Sequence, residues 1–228
     1  MAYKYRNTIK GKFISRPNRF IAEVEINGTA ELCHVKNTGR CRELLVKGAE
    51  VILEDCGNSK RKTRYDLIAV YKGDMLINMD SQVPNKCAAE FIPYLFEGVT
   101  FVKPEYRFGE SRIDFFIETG NERILMEVKG VTLEENGAVK FPDAPTQRGV
   151  KHLRELSAAV EKGCRACVLF VVQLENAVMF MPNRDTHCEF AEALADAHKK
   201  GVEILVYGCK VTEDSIEIDP LKKIPFCF

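Results

Sequence analysis

The stretch RIDFFIETGNERILMEVKG (residues 112–130) is strongly apolar, yet its apolar runs carry Asp114, Glu127 and Lys129, charged residues that a buried hairpin normally excludes. Two short apolar runs flank the turn-like segment ETGNE, so the pattern predicts a β-hairpin. If the turn centres on Gly120 and Asn121, Asp114 lies opposite Glu127, with Cβ atoms roughly 5 Å apart. Opposed carboxylates are destabilising by themselves, but a divalent cation favours such oxygen ligands. The hairpin is therefore a candidate site for Mg²⁺ or Mn²⁺.

Lys129 adds a third charged group to this hairpin. It lies two residues beyond Glu127, hence on the same face of the strand and roughly 6 to 7 Å along it. An ammonium group there could hold an attacking water or stabilise charge on a phosphate, while a metal lowers the pKa of the water. The three side chains thus suit phosphodiester hydrolysis. The alternative is an ordinary Lys129–Glu127 ion pair on a solvated sheet face, because the Glu-x-Lys spacing is common.

The elements that must position these residues fall into two regions. Residues 8–80 predict five short strands with a brief helical insertion, a pattern typical of a β-barrel of the oligonucleotide-binding (OB) type, with a sandwich as the alternative. Strands and helices then alternate, which predicts a mixed sheet covered by helices. We therefore expect an α+β protein, with an N-terminal five-stranded OB-type barrel at residues 1–83 and a C-terminal α/β domain at residues 84–228.

Charge divides the chain in the same way. The first 83 residues hold 15 Lys and Arg against 10 Asp and Glu, and the remainder holds 18 against 23, although the whole chain is neutral. This asymmetry indicates a basic binding half and an acidic, metal-binding half. Surface charge that serves only solubility would give the same asymmetry.

Basic residues that could neutralise DNA phosphates occur on the first strand, in two loops and on the polar face of the long helix. For the loop SKRKTR, a solvated and flexible segment is an equally good interpretation. The candidate DNA contacts are Lys12, Arg16, Arg19, Arg40, Arg42, Lys60, Arg61, Lys62, Arg64, Arg148 and Lys151.

Four segments carry a resemblance that covers nearly the whole chain: HVKNTGRCRELL, RIDFFIE, ILMEVKGVTL and FPDAPTQRGVKHLREL. In combination they resemble the bacterial sugar fermentation stimulation protein A family. The acidic residue on one strand, followed by E-V-K on the next, resembles the core of the PD-(D/E)-x-K restriction-endonuclease-like nucleases. The resemblance implies an OB barrel joined to a nuclease-like, mixed-sheet domain, and a role in DNA binding.

The nuclease pattern also implies roles for the hairpin residues. Asp114 and Glu127 would be metal ligands, with the carbonyl group of Val128 as a third. Lys129 would be the catalytic lysine. Ile113 stands where the name of the motif has proline, a departure that many such nucleases share.

Residues on two helices complete the implied site. Glu90, on the helix before the hairpin, would be an auxiliary acid in catalysis. Gln147, on the long helix that follows, could order water or substrate near the metal, although a plain DNA-facing helix surface explains it as well. His152 on the same helix could touch phosphate, but a satisfied surface histidine is the plainer expectation.

Two functions remain open at this point. One is a Mg²⁺- or Mn²⁺-dependent DNA endonuclease, and the other is a non-catalytic DNA-binding regulator of sugar (maltose) metabolism genes with a vestigial nuclease site. The presence of Asp114, Glu127 and Lys129 together favours the first, and the lack of a recognisable helix-turn-helix weakens the second. A carbohydrate-binding barrel is a third alternative, which only the fold class supports.

The expected environment is the cytoplasm. The longest apolar run, Ala166 to Val172, is far too short to span a bilayer, and the polar N-terminus MAYKYRNTIK lacks the apolar core of a signal peptide. Nine scattered cysteines fit reduced thiols better than a disulfide framework. We expect DNA as partner and no membrane, and we leave a homodimer open because nucleases that make double-strand cuts often act as dimers.

Overall fold

The computed structural model describes residues 2–37, 39–57 and 61–228, and these ranges contain three sheets and three helices. The first strand, β1 (Tyr3–Lys4), is followed by the strands of the N-terminal sheet. These are β2 (Thr8–Asn18), β3 (Ile21–Ile26), β4 (Thr29–Val35), β5 (Glu50–Asp55), β6 (Tyr65–Lys72) and β7 (Met75–Asn78).

Strands β2 to β6 form a closed barrel. Antiparallel pairs join β4 to β3, β3 to β2, β2 to β5 and β5 to β6, and a parallel pair between β4 and the start of β6 closes the circle. Strand β7 extends the second half of β6. The β3–β4 turn is formed by Asn27 and Gly28, whose φ angles of 51° and 82° are those that a tight hairpin turn requires. The expected five-stranded barrel is therefore confirmed.

The remainder of the chain alternates strands with helices. Its elements are α1 (Val83–Leu95), β8 (Val99–Phe108), β9 (Ser111–Thr119), β10 (Arg123–Val131), β11 (Leu133–Glu135), β12 (Ala138–Phe141), α2 (Gln147–Glu161), β13 (Arg165–Val172), β14 (Met179–Pro182), α3 (Arg184–Lys199), β15 (Glu203–Val211) and β16 (Ser215–Lys223).

Seven of the strands form a mixed sheet in the order β1-β16-β15-β13-β10-β9-β8. Its centre, β10-β13-β15, is parallel, and its flanks are antiparallel. Side chains of β10 alternate between two cores: Ile124 and Met126 pack in the cluster that contains α1, and Leu125 and Val131 pack in the cluster that contains α2 and α3. Helices thus cover both faces, and the expected mixed-sheet architecture is confirmed.

The domain division predicted at residue 83 falls at the first residue of α1. Strand β1 departs from that division, because Tyr3 and Lys4 pair with Ile216 and Ser215 of β16, in the C-terminal sheet. The small sheet β11-β12-β14 was also not expected. All nine cysteines are free thiols in the structure. Within the described ranges, none of the helices combines the length and apolar character that crossing a membrane requires.

A buried polar cluster lies between the barrel and the C-terminal sheet, and we call it the polar joint: Tyr5, Lys36, Asn78, Asp80 and Gln173. Asp80 is 1% exposed and forms an ion pair of 2.7 Å with Lys36. The amide nitrogen of Gln173 donates to the side-chain oxygen of Asn78 and to the backbone oxygen of Asp80, both at 3.0 Å. The side chain of Asn78 donates to the Tyr5 hydroxyl at 2.9 Å. The two halves of the chain are therefore held together by oriented polar contacts.

Candidate metal centre and nucleic-acid surface

The β9–β10 hairpin has the register that its sequence predicts. Phe115 pairs with Met126 and Glu118 with Arg123, so the next pair outward would be Asp114 and Glu127. The regular ladder stops before that pair, and the backbone N–H of Val128 donates instead to Oδ2 of Asp114, at 2.8 Å. A carboxylate thus replaces a backbone acceptor at the end of the ladder.

Asp114 is held in place by a second donor from a helix. The side-chain nitrogen of Asn85, in the first turn of α1, donates to Oδ1 at 2.8 Å. Burial and the negative charge of Glu127 raise the pKa of Asp114 above its usual value, because both disfavour its ionised form. The two carboxylates therefore repel each other, as expected for a pair that a cation would join.

Glu127 is the more deeply buried carboxylate, with only 2% of the residue exposed. Its Oε1 accepts a hydrogen bond of 2.5 Å from Nζ of Lys129 and also contacts Nδ1 of His152. Burial by itself would raise the pKa of Glu127, but the hydrogen bond with His152 and the charge of Lys129 outweigh it and hold the pKa below its usual value. Glu127 is therefore held as a carboxylate inside the protein.

The second oxygen of Glu127 is the unusual feature of the site. Oε2 is buried and, within the described part of the chain, has no hydrogen-bond partner. A buried, ionised and unsatisfied oxygen is costly, and native proteins rarely tolerate one without a ligand or a water. A divalent cation would satisfy it.

His152 differs most from its sequence-based expectation. We expected a surface histidine, but the residue is 3% exposed and its Nδ1 lies against Oε1 of Glu127. Its other ring nitrogen, Nε2, accepts from Nε of Arg148 at 3.3 Å. The expectation was wrong because His152 has charged neighbours in the sequence, which suggest the solvent-facing side of α2, although its side chain faces the sheet.

The residues present fit a hard divalent cation. Mg²⁺ takes one or two carboxylates from a protein and completes its octahedron with water and substrate oxygens. Asp114 and Glu127 supply two carboxylates, and the unsatisfied Oε2 shows where one ligand atom is missing a partner. The carbonyl oxygen of Val128 stays a predicted third ligand. Lys129 does pair with Glu127, but the alternative of a solvated sheet face does not hold, because Glu127 is buried.

The structure does not bring the two helical candidates to the carboxylates. Glu90 is exposed on α1 and lines a shallow depression with Lys210 and Glu217. Gln147 donates to Oε2 of Glu189 at 2.9 Å, on α3. Asn85 and His152 occupy the places next to the carboxylates that we had predicted for these residues.

Arg16 is one of the predicted DNA contacts, and hydrogen bonds inside the protein occupy both of its terminal nitrogens, whereas its buried Nε has no partner among the described residues. Its two terminal nitrogens donate to the backbone oxygens of Arg19, Asn37, Gly39 and Arg40 at 2.7 to 2.9 Å. It therefore fixes the two loops that carry the neighbouring arginines. These backbone contacts depend on the loop geometry, which the sequence does not show, and DNA contact by Arg16 stays a prediction.

The loop between β5 and β6 is also partly engaged. Arg61 pairs with the buried Asp66, and Arg64 pairs with Asp55 at 2.5 Å. Lys62 is exposed. For the two arginines, structural ion pairing explains their place in this basic segment as well as DNA contact does.

Other basic candidates remain available to solvent. Arg19, Arg40 and Arg42 are exposed and line one depression of the barrel, which we call the basic depression. Lys12 is exposed on β2, and Lys60 lies outside the described residues. On α2, Arg148 is exposed and Lys151 donates to the backbone oxygen of Glu110 at 3.2 Å.

A cleft of about 290 Å³ lies between the barrel and the C-terminal domain. Gly39 and Ser81 line it on the barrel side, and Gly130, Lys140 and Thr146 line it on the other. Gly39 also borders the basic depression, and Gly130 directly follows Lys129. The cleft therefore connects the basic depression to the strand that carries the candidate metal ligands.

Comparison with solved structures shows the same architecture in another protein. The structure of Pyrococcus furiosus SfsA in complex with Ca²⁺ is 29% identical to this chain. It aligns over 99% of this chain and 98% of that chain, with a TM-score of 0.87.

Sequence comparisons agree with this likeness. Sugar fermentation stimulation protein homologs from Clostridium beijerinckii and Desulfitobacterium hafniense (strain Y51) are 56% and 57% identical to this chain. The alignments cover 94% of this chain in both cases, and 96% and 94% of those proteins. Residues 14–79 match the family model of the SfsA N-terminal OB domain, and residues 82–215 match that of the sugar fermentation stimulation protein RE domain. The chain thus belongs to the sugar fermentation stimulation protein (SfsA) family.

Proposed function

We propose that this protein is a DNA-binding, divalent-metal-dependent phosphodiesterase. Asp114 and Glu127 would hold Mg²⁺ or Mn²⁺, and Lys129 would act beside them. The observation that carries this proposal is the buried Oε2 of Glu127, which lacks a hydrogen-bond partner among the described residues. A protein that only binds DNA has no use for a buried, ionised oxygen next to a second carboxylate, since the pair is destabilising without a cation.

Each neighbouring side chain has a separable task at this site. Asn85 and the N–H of Val128 fix the two oxygens of Asp114. Lys129 lies within 2.5 Å of Glu127 with 18% of its side chain exposed, so its ammonium group can reach both the carboxylate and an incoming phosphate. When bound, the cation would supply a Lewis acid that lowers the pKa of a coordinated water.

A relative supports the choice of a hard cation. The Pyrococcus furiosus protein was solved in complex with Ca²⁺. Calcium and magnesium both take oxygen ligands from carboxylates and carbonyl groups. Two carboxylates and the carbonyl group of Val128 on β10 are a donor set of that kind.

The barrel supports DNA as the substrate. The N-terminal half matches an OB domain model, and OB folds commonly bind oligonucleotides. The basic depression offers three exposed arginines, and Arg16 holds the backbone of two of them, Arg19 and Arg40. The interdomain cleft, which Gly39 and Gly130 both line, runs from this depression to the strand that carries Lys129. DNA affinity should accordingly fall steeply as the salt concentration rises.

The test incubates purified protein with supercoiled, linear, single-stranded and branched DNA in Mg²⁺ or Mn²⁺, with a chelator arm. Asp114→Asn and Glu127→Gln keep the shape of each side chain and remove its charge, so both should abolish cleavage. Glu97→Gln is the matched control, because Glu97 is an exposed acid outside the site. Calorimetric titration with Mn²⁺ should show one binding event that Glu127→Gln loses and Glu97→Gln keeps.

Two results would decide against this assignment. Cleavage that survives both Asp114→Asn and Glu127→Gln would show that other residues perform it. Salt-sensitive DNA binding without any cleavage would favour the second function, a DNA-binding regulator of sugar metabolism genes with a vestigial site.

A further inference from the structure

We infer that Arg148 and His152 form a positioning relay that couples a bound DNA phosphate to the cation site. In this relay, Arg148 contacts the phosphate, and His152, which is bonded to both Arg148 and Glu127, orients the Glu127 carboxylate. The inference rests on the proposed function, since it assigns the relay to the same cation and the same substrate. It adds that cation and DNA each strengthen the binding of the other.

The geometry of α2 places the relay between solvent and the buried carboxylate. Arg148 and His152 are four positions apart, so their side chains are neighbours along one face of the helix. Arg148 is exposed, whereas His152 is 3% exposed and Glu127 is 2% exposed. The hydrogen bonds run from Nε of Arg148 to Nε2 of His152, at 3.3 Å, and from Nδ1 of His152 to Oε1 of Glu127.

The donor in each hydrogen bond follows from the chemistry of arginine. A guanidinium group has only donors and keeps its protons, so Nε2 of His152 must be the acceptor. The ring proton therefore lies on Nδ1 and is donated to Oε1 of Glu127. Because Lys129 donates to the same oxygen, Oε1 is fully used and Oε2 is the oxygen left for a cation.

The outer edge of Arg148 is free for a phosphate. Within the part of the chain that the structure describes, its terminal nitrogens have no hydrogen-bond or ion-pair partner. A planar guanidinium group can use one nitrogen on His152 and others on phosphate oxygens. A phosphate bound there would immobilise Arg148, and hence the relay, in the geometry that orients Glu127. The entropy lost on fixing Arg148, His152 and Glu127 is then lost once for both ligands. Bound DNA therefore raises the affinity for the cation, and the bound cation raises the affinity for DNA.

Lys151 provides an internal contrast on the same helix. It is also exposed and basic, but its ammonium group donates to the backbone of Glu110 and contacts neither His152 nor Glu127. Its charge should therefore contribute to DNA affinity without contributing to the coupling.

The experiment measures the affinity for a labelled duplex oligonucleotide by fluorescence anisotropy, in chelator and in saturating Mn²⁺. The oligonucleotide is checked for intactness afterwards, and if it is cut, the titrations are repeated with Ca²⁺, which takes the same kind of oxygen ligands, in place of Mn²⁺. In the wild type, Mn²⁺ should strengthen DNA binding by about 5- to 150-fold, the usual range of coupling between two sites. Arg148→Lys keeps the charge but cannot bond His152 and phosphate in one fixed plane, so the ratio should fall close to one. Lys151→Met should weaken DNA binding equally in both arms and keep the ratio.

Two histidine variants separate the halves of the relay. His152→Asn keeps a donor near the position of Nδ1 and loses the acceptor for Arg148, so Mn²⁺ affinity without DNA should persist while the coupling is lost. His152→Leu loses both contacts, so Mn²⁺ affinity should fall as well. Circular dichroism and thermal unfolding show which variants remain folded.

The outcomes distinguish this inference from the proposed function. The relay would be overturned if Arg148→Lys and His152→Asn both kept the same coupling as the wild type, or if the wild type showed no coupling. The proposed function would still stand in either case, provided that Mn²⁺ binding depends on Glu127. Mn²⁺ binding that is unchanged in Glu127→Gln would overturn both.

Discussion

At the scale of single residues, the site contains some side chains that the alternation of a β-strand predicts and others that it does not predict. The pairing of Asp114 with Glu127 follows from the turn and the two-residue period of a strand, and so does Lys129 beside Glu127. Asn85 and His152 lie 29 and 25 positions from the carboxylates they contact, on helices. Their approach depends on how α1 and α2 pack on the sheet, which short sequence patterns do not specify.

Gly130 gives a prediction at this scale. A Cβ atom added there would lie 2.4 Å from Oε1 of Gln173 and 2.8 Å from Cγ of Pro84, and the buried Gln173 side chain is held in place by its hydrogen bonds to Asn78 and Asp80. We expect Gly130→Ala to lower the free energy of unfolding by roughly 1–3 kcal/mol, the usual cost of overpacking. Urea denaturation measures this cost. Gly120→Ala is the control, because nothing lies within 4 Å of its added Cβ and the variant should match the wild type.

At the scale of elements, the strands with clear turns were predictable and the short ones were not. The barrel strands are marked by alternation and by turns such as Asn27-Gly28, which specify local pairing. Strand β1 has only two residues, and β11, β12 and β14 have three or four. Strands of that length carry no periodicity of their own. The longer strand β16 offers an edge to β1, whereas β11, β12 and β14 pair with one another.

The start of α2 gives a prediction at this scale, because this helix carries the relay. Oγ1 of Thr146 accepts from the backbone N–H of Gly149 at 3.0 Å and so caps the helix. We expect Thr146→Ala to lower the free energy of unfolding by about 1 kcal/mol, the typical value of such a cap. Thr146→Ser keeps the hydroxyl group and should stay within a few tenths of a kcal/mol of the wild type, on the order of experimental error. Equal losses in both variants would show that the cap is unimportant.

A second prediction concerns the contact between β6 and β11. Glu134 is 6% exposed and accepts from Nζ of Lys72 at 2.6 Å and from the N–H of Gly137 at 2.6 Å. Burial would raise its pKa, but these donors outweigh burial and lower it below the usual 4.5. A lowered pKa in the folded state means that the charge stabilises the protein above pH 4.5 and that this gain is lost as the pH falls through the lowered value.

The variant Glu134→Gln tests this pH dependence. Its free energy of unfolding should lie about 1 kcal/mol below that of the wild type near neutral pH, because one partner, Lys72, is partly solvated. The difference should shrink as the pH is lowered below the usual pKa of Glu134. Chemical denaturation at a series of pH values measures it, and a difference that grows in acid would contradict the assignment.

At the scale of the whole molecule, two domains are joined by polar contacts that composition alone does not reveal. The charge asymmetry of the sequence predicted a basic barrel and an acidic second half, and family membership confirms an OB domain followed by a second domain. The polar joint could not be predicted, since its residues come from four separate segments of the chain. Each segment by itself reads as an ordinary strand end.

Lys36 and Asp80 give the prediction for this joint. Removing the ammonium group in Lys36→Met leaves a carboxylate that is 1% exposed without its cation. We expect the free energy of unfolding to fall by roughly 3–5 kcal/mol, as for other buried pairs that lose one partner. Lys12→Met removes an exposed lysine of the barrel and should change stability by no more than about 0.5 kcal/mol. Adding Asp80→Asn to Lys36→Met should recover part of the loss, since no buried charge then remains unpaired.

The pairing of β1 with β16 also has a consequence for synthesis on the ribosome. Residues 3 and 4 emerge long before their partners, residues 215 and 216. The barrel can close on contacts within residues 8–72, long before the outer strand of the large sheet exists. Residues 3 and 4 therefore stay unpaired until β16 has been synthesised, and folding during synthesis begins with the barrel. A fusion partner placed before residue 1 would be carried to the edge of β16 and would disturb the last step of folding rather than the first.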